Sequence, residues 1–153
     1  MGAVLTGVSL AGADLYRANC ERADMTAANL RGCDLTKAEL DEAVLRSARL
    51  DEANLGSASL WGVDARLASF RGARLNGAAV LQSDLSGADL SEVLLEETSL
   101  KVTFDEKTTV RGMYGTLYGP LTLSVGGLSR EFDGAELAQW LNDRGARVEV
   151  IGS

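Results

Sequence analysis

Large aliphatic residues recur along this chain at every fifth position. With Leu5 as phase, steps of five reach Leu10, Leu15, Cys20, Met25, Leu30 and so on to Leu100, and 15 of these 20 positions are Leu. Two residues before each lies a second apolar register, from Ala3 to Thr98, in which 14 of 20 are Ala. Between the registers stands a mostly polar residue, as in Asp14, Asn19, Asp24, Asn29, Asp34, Asn54, Asp84 and Asp89. An α-helix turns about 500° in five residues, so its leucines would wander around the axis. In a single strand, odd spacing would flip every second leucine to the opposite face. All leucine-type positions become interior only if each repeat is one side of a closed coil. The Ala register then suits the cramped corners, and Asp, Asn, Ser and Gly suit the turns between sides.

This pattern resembles the A(D/N)LXX motif of the pentapeptide-repeat family over 100 of 153 residues. The resemblance implies an all-β fold: a right-handed quadrilateral β-helix with four repeats per coil, hence five coils of 20 residues. The stack would be about 24 Å tall at the usual strand spacing of ~4.8 Å. We expect residues 1–102 to form this β-helix. In one coil Ala65 replaces Leu and Phe70 follows on the next side, which reads as volume compensation.

The period stops at Val102, and residues 103–118 keep strand-like residues without it. Leu121 to Val125 alternates as a strand, Gly126-Gly127 reads as a hairpin turn, and Leu128 to Phe132 as the return strand. Asp133 with Glu136 has the spacing of a capping box, followed by a helix of about 11 residues ending at Gly145. Arg147 to Ile151 alternates as a last strand. The expectation is a small α+β cap over residues 103–153, a ββαβ module docked on the last coil and covering its open edges. At the other end only Met1 and Gly2 precede the first repeat. A second copy or partner stacking there, a lost N-terminal portion, and a solvated edge are the three readings.

Four sides per coil place residues twenty apart above one another. On the fourth face Trp61, Leu81 and Lys101 form an outward column, with Ala79 beside Leu81 and Val102 at the edge. An outward Trp beside an outward Leu is unusual for a solvated face. The expected cover is the C-terminal module folded back over it; the functional alternative is a homodimer or partner site. Lower on the same face Glu21 and Asp41 stack, with Glu39 and Glu42 beside them, and a second acidic group comprises Asp89, Glu92, Glu96 and Glu97. Both read as solvated faces, with a basic partner as the alternative. On the second face Arg31, Asp51 and Arg71 alternate in sign, which suggests inter-coil ion pairs.

Composition narrows the function. The net charge of −7 argues against direct nucleic-acid binding, which needs a basic face. There is no histidine, so His-based catalysis has no candidate, and carboxylates on convex faces lack the cleft that would tune them. Cys20 and Cys33 both fall in inward registers and read as core fillers, not as a metal or redox pair. No cofactor, no metal, no membrane partner and no catalytic residue is expected. Two cysteines without a signal segment point to the cytoplasm, and the Ala-, Arg-, Gly- and Leu-rich composition to a GC-rich bacterial source.

The reading is a non-enzymatic interaction or scaffold protein that presents a rigid surface to a protein partner, with a homodimer among the options. The alternative comes from the resemblance: some pentapeptide-repeat proteins protect DNA gyrase from quinolones or natural gyrase poisons by mimicking DNA. Duplex DNA carries one charge per ~1.7 Å, so a mimic about 24 Å long would want about 14 negative charges. Residues 1–102 hold 15 acids and 10 bases, a net of −5, and Arg46, Arg66, Arg71 and Arg74 interrupt any anionic stripe.

Overall fold

The computed structural model describes residues 2–152. The five-residue period folds as a parallel β-solenoid whose register is twenty residues. Isolated bridges Val4↔Asp24, Ser9↔Asn29, Asp14↔Asp34 and Asn19↔Glu39 open four ladders, and the same four positions recur in the following turns. Each turn donates to the next through bonds such as Leu45 N to Asp64 O (2.7 Å) and Ser47 N to Arg66 O (3.0 Å). It receives bonds such as Asp64 N to Ala43 O (3.1 Å) in return.

The two apolar registers meet inside. Leu35, Leu40, Leu45, Leu50 and Leu55 are fully buried, and so are Ala28, Ala43 and Ala53 from the second register. Ala65 and Phe70 are both buried in the same apolar stack, where the residual void is only about 10 Å³. That is about the space of one water molecule, so little is left open around the small residue and the large one. Cys33 is buried and its thiol donates to the Leu10 carbonyl (2.8 Å). Cys20 is half-buried with Leu5, Leu10 and Leu15, which line the N-terminal end of the core.

The polar residue between the registers closes the corner. Its side-chain oxygen accepts the N–H two residues on: Asp24 from Thr26, Asp34 from Thr36, Asn54 from Gly56, Asp89 from Ser91, all at 2.9–3.0 Å. This Asx-type turn explains the Asp/Asn preference. The last residue of most repeats has positive φ. Gly occupies many of these positions, but Glu42, Glu52, Leu67 and Glu97 also adopt it (φ 58, 60, 61 and 48). An L-residue there costs about 1–2 kcal/mol, which the repeated ladder bonds offset.

Regular strands appear where sides lengthen. They are β1 (Ser59–Trp61), β2 (Ala79–Asp84), β3 (Leu94–Asp105) and β4 (Tyr114–Tyr118), paired in parallel in that order. The coil path therefore outruns the sequence period, which stops at Val102. The register slips by one residue between Leu81↔Lys101 and Ser83↔Val102, and returns by Asp89↔Thr109. The residue is regained in the Asp105–Thr108 turn, where the Asp105 carboxylate accepts from Lys107 and Thr108 N–H groups. Phe104, Val110, Met113 and Leu117 then fill a further turn of core. Gly115 is obligatory in this turn, since a Cβ there would overlap the Leu95 carbonyl.

The remaining elements are β5 (Leu121–Val125), β6 (Leu128–Phe132), α1 (Gly134–Asn142) and β7 (Arg147–Val150). Strand β5 pairs in parallel with residues 103–105 of β3, and β7 in parallel with β4. Strand β6 folds back on β5 through Gly126-Gly127. Helix α1 buries Leu137, Trp140 and Leu141, with the Trp140 ring 6.5 Å from Phe104 and 5.9 Å from Phe132. The expected capping box does not form. Asp133 accepts from Gly134 N (2.7 Å), and Glu136 is drawn away by Arg130. The helix is nine residues long, two fewer than the pattern suggests.

Candidate functional site

The outward column of the fourth face forms as the twenty-residue spacing predicts. Trp61 lies beside Leu81, and Leu81 beside Lys101, in adjacent parallel strands. The parallel column Ser59, Ala79, Ser99 runs next to it and continues to Tyr118 through the Ser99↔Tyr118 pair. Trp61 is 47% exposed, Tyr118 and Lys101 are exposed, and Ala79 and Leu81 are half-buried. The C-terminal module does not cover this face, contrary to the expectation. Its strands β5 and β7 extend the ladder at the end of the solenoid, so α1 lies across the core and not along the side.

Val102 does not belong to the patch. It is 3% exposed, because the one-residue slip sets it opposite Ser83, an inward position. A slip compensated within one turn leaves no signal in the spacing. Tyr118 was missed, because a second one-residue slip, between Leu95↔Gly115 and Thr98↔Leu117, sets it opposite Ser99 beyond the end of the five-residue period.

Trp61 is fixed from below. The Asp41 carboxylate accepts from Trp61 N (2.9 Å) and from the Ser59 hydroxyl (2.6 Å), which holds the start of β1 on the preceding turn. Glu39 stands opposite Ser59 in the ladder, and Glu21 is exposed at the foot of the column. Glu42 is tied to Arg22 (2.9 Å). The upper half of the face carries one charge, Lys101, and no ion pair holds it among the described residues.

The second acidic group is not one patch. Asp89 and Glu92 lie on one side and Glu96 and Glu97 on the next. Asp89 approaches Arg71 (3.7 Å) and accepts from the Thr109 hydroxyl (2.9 Å), while Glu96 accepts from Asn76 (2.9 Å). The Arg31–Asp51–Arg71 stack does not pair as expected either. Asp51 accepts from the Ser69 hydroxyl (2.6 Å) and stands 4.0 Å from Arg49, its neighbour two residues back. The tightest charge cluster lies elsewhere, where Asp64 meets Arg66 at 2.7 Å and Arg46 at 2.8 Å. The Arg66 guanidinium, then Arg46, hold this carboxyl well below the usual carboxylate range, against some desolvation. The eighteen-residue spacing from Arg46 to Asp64 crosses columns, which the column map does not test.

No cluster of metal-ligating side chains occurs among the described residues. A concavity of about 650 Å³ lined by Arg74, Glu92, Tyr114 and Arg147 is open and polar. No described helix is long and apolar enough to cross a membrane.

Comparison with known proteins accords with this geometry. The family model for pentapeptide repeats matches residues 2–32, 23–62, 48–80 and 66–101, eight copies in all. Among solved structures, a trypsin-treated form of QnrB1, a plasmid-mediated fluoroquinolone resistance protein, is 22% identical with a TM-score of 0.42. The match covers 74% of this chain and 64% of QnrB1, so the chain spans somewhat under two thirds of that protein. A pentapeptide repeat protein of the Arabidopsis thaliana thylakoid lumen is 29% identical with a TM-score of 0.31, covering 61% of this chain and 68% of that one. One from Nostoc PCC 7120 is 23% identical with a TM-score of 0.35, covering 97% and 99%. No curated protein sequence matches. The continuous run of family repeats over residues 2–101, folded as a parallel solenoid with an aliphatic core, makes this chain a member of the pentapeptide repeat family.

Proposed function

We propose that the chain is a non-enzymatic interaction module that offers the Trp61 face to a protein partner. One observation carries this reading: a half-exposed Trp stands on a four-strand parallel sheet, with Leu81, Ala79 and Tyr118 around it and nothing from the chain's own cap above it. Exposed aromatic anchors on rigid surfaces are where interface energy concentrates. The Asp41 bonds fix the strand that carries the anchor, so little order is lost on docking. The core of the solenoid is filled, and its void of about 10 Å³ offers no substrate cavity.

The test is a pull-down from the native host with wild type against a Trp61→Asp, Leu81→Asp variant. Both side chains point outward, so the variant should keep its circular dichroism and melting profile. The expected outcome is loss of the co-purifying protein. An unchanged set of partners removes the Trp61 face as the site.

A further inference from the structure

The Trp61 face is self-complementary when read along its column. From the first turn upward the sequence of side chains is Glu21, Asp41, Trp61, Leu81, Lys101: acid, acid, ring, aliphatic, base. Beside it runs Asn19, Glu39, Ser59, Ala79, Ser99, Tyr118. A two-fold axis lying in the contact plane, across the solenoid between Trp61 and Leu81, sets each column against itself in reverse. Trp61 of one copy then meets Leu81 of the other, Ser59 meets Ala79, Asp41 meets Lys101 and Asn19 meets Tyr118. Such an isologous contact satisfies both ends at once.

We propose that the partner of this face is a second copy of the chain, packed face to face with the two solenoids antiparallel. The inference rests on the docking role of the Trp61 face. Charge selects the antiparallel arrangement over the parallel one. In the parallel arrangement Asp41 would oppose Glu39 of the other copy at the same height, twice over. In the antiparallel one the two Asp41 carboxylates sit three strand spacings apart, about 14 Å, which exceeds the ~10 Å screening length of a 0.1 M salt solution. Lys101, the one cation of the face without an ion pair among the described residues, then lies over Asp41 of the other copy. Glu39 then faces Ser99, Glu21 lies beyond the end of the other column, and Arg22 and Glu42 are already paired within the chain.

The contact is small. A side about 16 Å wide and about 19 Å of stack height give roughly 300 Å² per copy, well under a standard interface. The dimer therefore belongs to the weak, concentration-dependent class.

Sedimentation equilibrium over about 10 μM to about 1 mM chain reads the assembly directly, a range that brackets weak association. Wild type should rise from one mass towards two, and less steeply when salt is added. Trp61→Asp and Lys101→Glu should each stay monomeric; Lys101 makes no ion pair within the chain, so its variant should remain folded. Lys101→Met, which removes the cation without adding an opposing acid, should weaken the dimer less than Lys101→Glu, and its dimer should no longer respond steeply to salt. A wild-type monomer at 1 mM, or a dimer indifferent to Trp61→Asp or to Lys101→Glu, or strengthened by salt, would overturn the proposal. A monomer that still loses a cellular partner on Trp61→Asp leaves the docking role intact and removes only the second copy.

Discussion

At Asp64 two guanidiniums share one carboxylate, and the consequence is a pH dependence of known sign. The carboxyl is held below its ordinary value by Arg66 and Arg46 in the folded chain and is free of them when unfolded. Its contribution to stability is therefore complete above the unfolded value of about 3.9, and declines as pH falls below that towards the folded one. Asp24 and Asp34 act in the same sense, held low by the hydroxyl and N–H of Thr26 and Thr36. The chain has no histidine, the side chain whose ordinary value lies near neutrality. Thermal melts should therefore show a flat midpoint from about pH 5.5 to about pH 8. The deficit of Asp64→Asn relative to wild type should be constant above about pH 5 and shrink below about pH 4. A deficit that grew in acid would reverse the assignment. The column map is blind to this cluster: Arg46, Asp64 and Arg66 come together across columns, and the rotamers that unite them are not written in the period.

At the scale of elements, the inside of the solenoid was legible because one side-chain size at one spacing leaves only one interior. Leu35, Leu55 and Ala43 are buried for the reason the pattern supplies. The strands at Leu121–Val125 and Leu128–Phe132 and the turn between them were legible too, from alternation and paired glycines. What escaped was register. The slip at Val102 is undone at Asp105–Thr108, so a residue expected on the surface is buried without trace in the spacing; a second slip, between Leu95 and Thr98, brings a tyrosine expected nowhere onto the face. The sequence left α1 two places, docked on the last coil or folded back over the Trp61 face, since its apolar side fits either an open end or a flank. Its observed place gives it a measurable role. Leu141→Ala should cost roughly 2–5 kcal/mol in urea titration, as for other buried leucines. Solenoid turns stabilise their neighbours, so hydrogen exchange in Phe104–Tyr118 should accelerate first while Leu45–Leu60 stays protected. Uniform acceleration throughout would show that α1 is no lid.

At the scale of the whole molecule, the distribution of charge differs from that of DNA. Along the side that begins with Val4, Asp24, Asp64 and Asp84 alternate with Arg46 and Arg66, and Asp64 is neutralised from both directions. Duplex DNA offers unbroken phosphate at one charge per ~1.7 Å. On this ground micromolar amounts of the chain should leave quinolone inhibition of purified gyrase unchanged. Relief of inhibition would put the anionic reading first. Length and bearing, by contrast, are independent in this architecture. The ladder closes every twenty residues through four bridges, so duplicating twenty would raise the helical lid by one storey with its heading unaltered. Duplicating five would swing the lid round by one side with respect to Trp61. Tandem copying of short segments can thus lengthen such a rod or re-aim its end without redesigning a single interior residue.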